Sequence, residues 1–427
     1  MTNFKIAIVT IFTLGLVIGI AIFALSKANS TPVAQVVVWG TIPDDAFSVA
    51  YKNSTLPKNK SVSVRYVRKD KADFDADFVE ALASGTGPDV VILREDSMFK
   101  HRNKFLMIPY KSYPERNFKD TFIEGGEIFL STDGIQALPL MIDPMVMYWN
   151  RDMFTTNLIS QPPQYWDDVL RLVPTLTRKD KSGNIMQSML SFGEWRNVAN
   201  AKEILATLLL QGGTPIISYN KSYYTSVLDS QLNYPIAPGQ SALNFYTQFS
   251  NPTAAMYTWN RSLPSSLNFF LSGNLATYFG FASELFSIQQ KNPNLNFDVT
   301  YMPQARQATK KIVFAHMYGL AITKQSKSIA GAFATILGLT EPSSLTALET
   351  MTNLPPVRRD LLAAKPTDAY RTVFYNSALY GKAWTDPDPQ ATSEIFKEMV
   401  ESVTSGRARV TEALGRASQL LSTFLTQ

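Results

Sequence analysis

DGIQALPLMIDPMVMYWNRDMF, residues 133–154, is the stretch whose reading decides the fold. Two apolar runs within it, 137–142 and 145–149, are each too short for a helix and too apolar for a solvated loop, so both read as buried strands. Asp143-Pro144 stands between them. Proline removes a ladder donor and biases the preceding residue toward extended backbone, so the pattern predicts that the chain leaves one sheet at this joint and enters another. Residues 143–144 then become a crossing between two lobes, with Asp143 at the mouth of the intervening cleft, where open sheets hold ligands.

Working outward, a chain of 427 residues exceeds one ordinary core, which agrees with two lobes. The net charge of +5 comes from Lys and Arg spread along the whole chain, with no basic run interleaved with aromatics, so nucleic acid is not an expected partner. The absence of cysteine removes disulfides, thiolate metal sites and a lipid anchor on cysteine. Only His101 and His316 supply imidazole, which argues against zinc-hydrolase and histidine-dependent triad chemistry. There is no GxSxG, P-loop, HExxH or Gly-rich dinucleotide turn, so no catalysis, cofactor or metal is expected. The remaining enzyme reading is a glycosidase using two carboxylates, such as Asp96 with Asp143 or Glu194.

Residues 6–25 form an almost uninterrupted apolar run of 20 between Lys5 and Lys27. That is long enough to span a bilayer and longer than a signal-peptide core, so 1–27 is expected to be an uncleaved signal anchor. Lys5 and the amino terminus stay cytoplasmic in this reading, with the globular part outside the cell or in the periplasm. Ser26-Lys27-Ala28 resembles a small-residue cleavage site, which leaves a secreted mature form as the alternative.

A polar linker, 28–35, precedes the globular part. From there 36–39 reads as a strand, 45–51 as a helix, 62–67 as a strand, 73–83 as a helix ending at Gly85, and 89–93 as a strand. This alternation predicts a parallel sheet covered by helices. It also puts Trp39-Gly40 and Arg94-Glu95-Asp96 at the same edge, beyond the carboxyl ends of their strands. After the crossing, helices are expected from an opening at 162–168 to about 176, at 203–211, at 265–271, and at 283–290 with Ser283 as N-cap. Strands are expected at 275–281 and 297–302. Polar 303–311 is placed to carry the chain back across the cleft, 318–322 reads as a strand and 326–339 as a helix. Leu354-Pro355-Pro356-Val357-Arg358-Arg359 is a third expected crossing, and Val410, Leu414, Leu421 and Leu425 share one face of the last helix.

Five pieces taken in order, ALASGTGPDVVIL (81–93), the 133–154 stretch, PPQYWDDV (162–169), FFLSGNLATYFGF (269–281) and LPPVRRDLL (354–362), resemble the extracellular solute-binding proteins of family 1. These are the sugar-type binding components of ABC importers, akin to maltose-binding protein, and the resemblance covers nearly everything after residue 36. It implies an α/β, two-lobed periplasmic-binding-protein-like fold of type II, with lobes 36–143 plus 307–352 and 144–306 plus 353–427 joined by three crossovers. It further implies a monomer that binds carbohydrate in the cleft, closes by hinge motion and delivers the ligand to permease subunits, without catalysis. The alternatives are the same fold on a peptide, polyamine or other solute, or a sensor or adhesion module without an importer. Hinges are expected at Asp143, Pro144, Pro303, Leu354 and Pro355.

Sugars present apolar C–H faces ringed by hydroxyls, so their sites combine flat aromatics with carboxylates, amides and Arg. Trp39, Trp195, Trp259 and Trp384 are the candidate aromatic platforms, with Trp166 and Trp149 read as core. Phe281 and Tyr318 match family positions near the cleft. Asp96 is either a ligand contact or a helix cap; Asp143 is either a hinge residue or a ligand contact; Glu194 beside Trp195 completes the candidate set.

Overall fold

The computed structural model describes residues 33–220, 223–364 and 366–425. The expected membrane helix at 6–25 lies outside them, as does most of the linker at 28–35. No helix among the described residues is long and apolar enough to cross a membrane.

The centre is a mixed sheet. Its strands are β1 (Ala34–Gly40), β2 (Val62–Arg68), β3 (Val90–Arg94), β4 (Leu138–Asn150), β5 (Thr277–Phe281), β6 (Phe297–Thr300), β7 (Val313–Ile322) and the short β8 (Gly381–Lys382). The order is β5-β4-β7-β3-β1-β2, with β6 also paired to β4 and β8 to β7. β1 begins at Ala34, so the end of the expected linker is already strand. β3, VVIL followed by Arg94, is buried along its four apolar residues, as a strand covered on both faces must be.

Two expectations fail here. β1 runs parallel to β2 and β3, but β7 is antiparallel to both β3 and β4, so the sheet is not parallel throughout. Strand and helix alternation reports only the first three strands; β4 and β7 arrive after long excursions. More importantly, the expected break at Asp143-Pro144 is absent, because β4 is one continuous strand of 13 residues. Pro144 is tolerated because the ladders change over around it. Pairing with β7 reaches Pro144 opposite Ala315, whereas pairing with β5 starts at Met145 opposite Phe281 and with β6 at Met147 opposite Thr300.

Residues 303–311, expected to lead back across the cleft, start out tied to the segments around Gln164 and Gln211. The Gln304 N–H donates to Gln164 O at 3.0 Å, and Gln211 Nε2 donates to Pro303 O at 3.0 Å and to Ile312 O at 2.9 Å, which pins this segment beside the helix Ala201–Gly212. β7 follows, pairing with β8 at Val313 and with β3 at Ile322. Leu354 and Pro355 are buried, and the following Val357 O accepts from the Ile123 N–H at 3.0 Å.

The helices follow their patterns more faithfully. Phe74–Ala83 buries Phe74, Phe78, Ala81 and Leu82. It ends as expected at Gly85, whose φ of +71° is left-handed. There the Thr86 N–H reaches Ala81 O and the Gly85 N–H reaches Leu82 O, satisfying carbonyls left over at the helix end. The last helix, Val410–Thr423, buries Leu414 and Leu421 on one face against Pro389–Thr404. Ser283, in contrast, is not a cap: the turn Ala282–Glu284 is closed by Glu284 Oε1, which accepts from the Phe281 N–H at 2.9 Å, and by Asp143 Oδ1, which accepts from the Ser283 N–H at 3.0 Å. Trp166 is core as expected, its Nε1 donating to Gln211 Oε1 at 2.7 Å.

Candidate functional site

The carboxyl end of β3 delivers Arg94 and runs straight into a short helix, Glu95–Lys100, so that two acids in its first turn are buried. They stay buried because each oxygen finds a donor. Arg94 grips Asp96 with both ends of its fork, Nε to Oδ1 at 3.3 Å and Nη2 to Oδ2 at 2.5 Å. Its Nη1 lies 3.2 Å from His316 Nε2. A guanidinium only donates, so Nε2 accepts and Nδ1–H is left to donate to Glu95 Oε1 at 2.9 Å. The second oxygen of Glu95 accepts from the Met317 N–H at 2.8 Å. The His316 ring is held flat against Phe281, centroids 4.7 Å apart and 22° between planes, with Phe314 edge-on at 5.0 Å.

Facing this network is Lys202, in the first turn of Ala201–Gly212. Its ammonium donates to Asp386, to Pro389 O at 2.9 Å and to Thr392 Oγ1 at 2.6 Å. Those bonds fix the loop that carries Trp384, a buried indole stacked on Phe396 at 5.8 Å and 9°. Asp96, Lys202, Glu203, His316, Trp384 and Asp386 line a cavity of about 10 Å³. That is about one water molecule's worth of room.

The electrostatics are those of carboxyls crowded out of water. Burial pushes Asp143 up to about 6, against the Ser283 N–H that favours its charged form. Burial pushes Asp386 up to about 6 as well, with Lys202 opposing. Burial works against ionisation of Asp96 too, but the Arg94 guanidinium, with Lys202 and the Ser97 N–H, outweighs it and holds the carboxyl below the usual range. The Arg94 guanidinium beside Lys71 lowers that ammonium, an effect that burial adds to. Glu95, Asp96 and His316 bring ligand-type atoms within 4.8 Å of one another, the spacing of a metal cluster. Their lone pairs already serve Arg94 and Met317, so a cation would have to displace the guanidinium; the network holds itself together without one.

Of the expected site residues, five meet. Asp96, Asp143, Phe281 and Trp384 join the half-buried Tyr318, whose hydroxyl is pushed up by burial and by Asp143. Glu194 and Trp195 have other partners: Glu194 Oε2 accepts from Arg261 Nε at 2.7 Å and its carbonyl from the Tyr246 hydroxyl at 2.7 Å, while Trp195 packs half-buried on the core. Trp39 is buried at the end of β1 with the Lys69 ammonium 4.1 Å over its ring. Trp259 is a correction. It is fully buried, its Nε1 donating to Asn197 Oδ1 at 3.1 Å and Phe269 edge-on at 5.5 Å, so it has no surface to offer a ligand. Lys71, Lys202, Glu203, His316 and Asp386 were missed, and no local signal marks any of them. Arg94, quoted with its neighbours, was the one visible hint.

A family model described as bacterial extracellular solute-binding protein matches residues 46–374. Among solved structures, a cyclo/maltodextrin-binding protein complexed with maltotetraose superposes with a TM-score of 0.73 at 17% identity, over 92% of this chain and 98% of that one. A cyclic α-maltosyl-1,6-maltose-binding protein from Arthrobacter globiformis gives 0.74 at 17%, over 92% and 99%. An ABC transporter solute-binding protein from Thermotoga lettingae bound with α-D-tagatose gives 0.64 at 18%, over 92% and 99%. At such identities the likeness establishes the fold. A search of curated protein sequences finds no match.

Proposed function

Because this chain belongs to the bacterial extracellular solute-binding proteins, a family of binders and not of enzymes, we propose that it binds a carbohydrate between two lobes, closes over it and delivers it to an ABC importer permease. The lobes are 36–143 with 307–352, and 144–306 with 353–427. They are joined near Asp143-Pro144, near residues 304–307, and near Leu354-Pro355. The apolar run 6–25 tethers the globular part to the membrane, outside the cell or in the periplasm.

The observation that supports this reading is one buried polar network built from segments on either side of the proposed lobe division. Asp96, Arg94 and His316 offer donors and acceptors for hydroxyls, and Trp384 and Phe281 offer flat faces for C–H groups. The cavity of about 10 Å³ cannot hold even a monosaccharide, so a ligand is admitted only when the lobes part. That is the hinge motion of periplasmic binding proteins. One observation favours a second reading, a cationic solute such as a polyamine: Asp143 is buried with no cation in bonding contact among the described residues.

A thermal-shift screen of the purified protein against mono-, di- and oligosaccharides, polyamines and short peptides tests the choice. A ligand binding only the folded state, at about a hundred times its dissociation constant, adds about 2.7 kcal/mol. A sugar-specific shift that disappears in Trp384→Ala and Asp96→Ala is the expected result. A shift with polyamines alone, lost in Asp143→Asn, replaces the ligand class and leaves the site; no shift with any class removes the reading.

A further inference from the structure

Two side-chain contacts beside the cavity join segments of opposite lobes without using any group that faces the ligand. Phe99 and Lys100 end the short helix whose first residues, Glu95 and Asp96, line the cavity. The Phe99 ring meets Tyr224 edge-on, centroids 4.8 Å apart at 87°. Lys100 Nζ lies 3.2 Å from Asp388 Oδ2. Each partner is braced from its own side. Tyr219 packs on Tyr224 at 4.7 Å, and the Arg102 guanidinium covers Phe99 at 4.3 Å. Asp75 Oδ2 holds Lys100 Nζ at 2.8 Å, and its other oxygen is 2.9 Å from His101 Nε2.

Asp388 is tied to the binding loop itself. It caps the helix Pro389–Thr404 by accepting from the Gln390 and Ala391 N–H groups, both at 3.0 Å. Two residues earlier, Asp386 takes the Lys202 ammonium, and two before that stands Trp384. A pull on Asp388 is therefore a pull on the loop that walls the cavity.

We propose that Lys100–Asp388 and Phe99–Tyr224 form a clasp that holds the two lobes shut over the cavity; the proposal rests on the lobe closure inferred above. Separating the lobes breaks both contacts and wets the Phe99 ring, while nothing within either lobe needs to change. Such contacts have different free energy in the open and closed states, which is the requirement for shifting that equilibrium. An aromatic pair of this geometry is worth about two- to ten-fold in the closed-to-open ratio. A partly exposed ion pair is worth at most about five-fold, less in high salt.

The chain has no cysteine, so spin labels can be placed by introducing only two. Val79→Cys and Leu420→Cys put them on exposed positions of helices in opposite lobes. Pulsed-EPR distance distributions are compared for this labelled full-length chain and for added Lys100→Met, Asp388→Asn, Tyr224→Leu, and Lys100→Met with Tyr224→Leu. Asn keeps an oxygen for the helix cap, so Asp388→Asn separates loss of charge from loss of the helix, and melting curves check that each variant is folded. The expected result is a dominant short distance in the parent, with the long-distance fraction rising about two- to five-fold in each single variant and further in the double. If both distances are present and their ratio stays fixed in folded variants, the clasp is overturned and lobe closure stands. If every protein shows one identical distance, lobe closure is overturned and the clasp with it.

Discussion

Asp143 is buried, gives one oxygen to the Ser283 N–H, and is pushed by burial up to about 6 from an ordinary 3.8. The folded state therefore holds the proton more tightly than the unfolded chain does. Its contribution to stability is fully present below pH 3.8 and is lost as pH rises through about 6; ionised, the group costs on the order of 2–3 kcal/mol. Asp143→Asn keeps an acceptor for Ser283 and removes the charge. It should stabilise the protein at pH 7.5 by on the order of 2 kcal/mol and lose that advantage near pH 4, as urea melts at the two values will show. An advantage that is the same at both would refute the burial account. At this scale the sequence was a partial guide. Asp96, Asp143 and Trp384 were offered because each follows a short apolar run or stands in a polar loop, Phe281 and Tyr318 because they match family positions, and the fold brings these five near one another. Trp259 also sits in a polar loop, yet Asn197 takes its indole N–H and Phe269 covers its ring. Which way a side chain turns is set by such partners, and they are distant in sequence.

Elements built from neighbouring residues were read well, and elements defined by distant pairing were not. The helix Phe74–Ala83 and its end at Gly85 depend on a four-residue apolar repeat and one left-handed residue, both local. Nothing lies within 4 Å of a Cβ placed on Gly85, so Gly85→Ala meets only the strain of φ at +71°. It should lower stability by about 1 kcal/mol, seen as a reduced urea midpoint with an unchanged slope; a neutral result would mean that the turn relaxes out of the left-handed region. β4 is the opposite case. Proline argues for a break by a rule that is right for an uninterrupted ladder, but here β5, β6 and β7 meet β4 in staggered registers around Pro144. His316, a polar residue amid the apolar run of β7, likewise hid the first half of that strand; the bonds to Glu95 and Arg94 that make it welcome come from β3 and the helix after it.

At the scale of the molecule, β4 and β7 pair with each other at the middle of the sheet and each carries strands on its far side, β5 and β6 on β4 and β3 on β7, so one continuous ladder couples the two ends. Unfolding should then be a single cooperative transition: one calorimetric peak whose van't Hoff and calorimetric enthalpies agree. Two resolved peaks would show that the two ends of the sheet are stable apart. The sequence by itself determined what depends on composition and short periods: the α/β class, the helix pattern, the absence of thiol chemistry, and the resemblance that led to the family. Only the tertiary structure decided that β4 is continuous, that β7 lies antiparallel between β4 and β3, and that Lys202 and Asp386 join Asp96 and His316 around Trp384. Those facts rest on contacts between residues far apart in the chain. A buried charge or a proline is acceptable or costly according to the partner it meets there, and that partner is fixed only when the whole chain has closed.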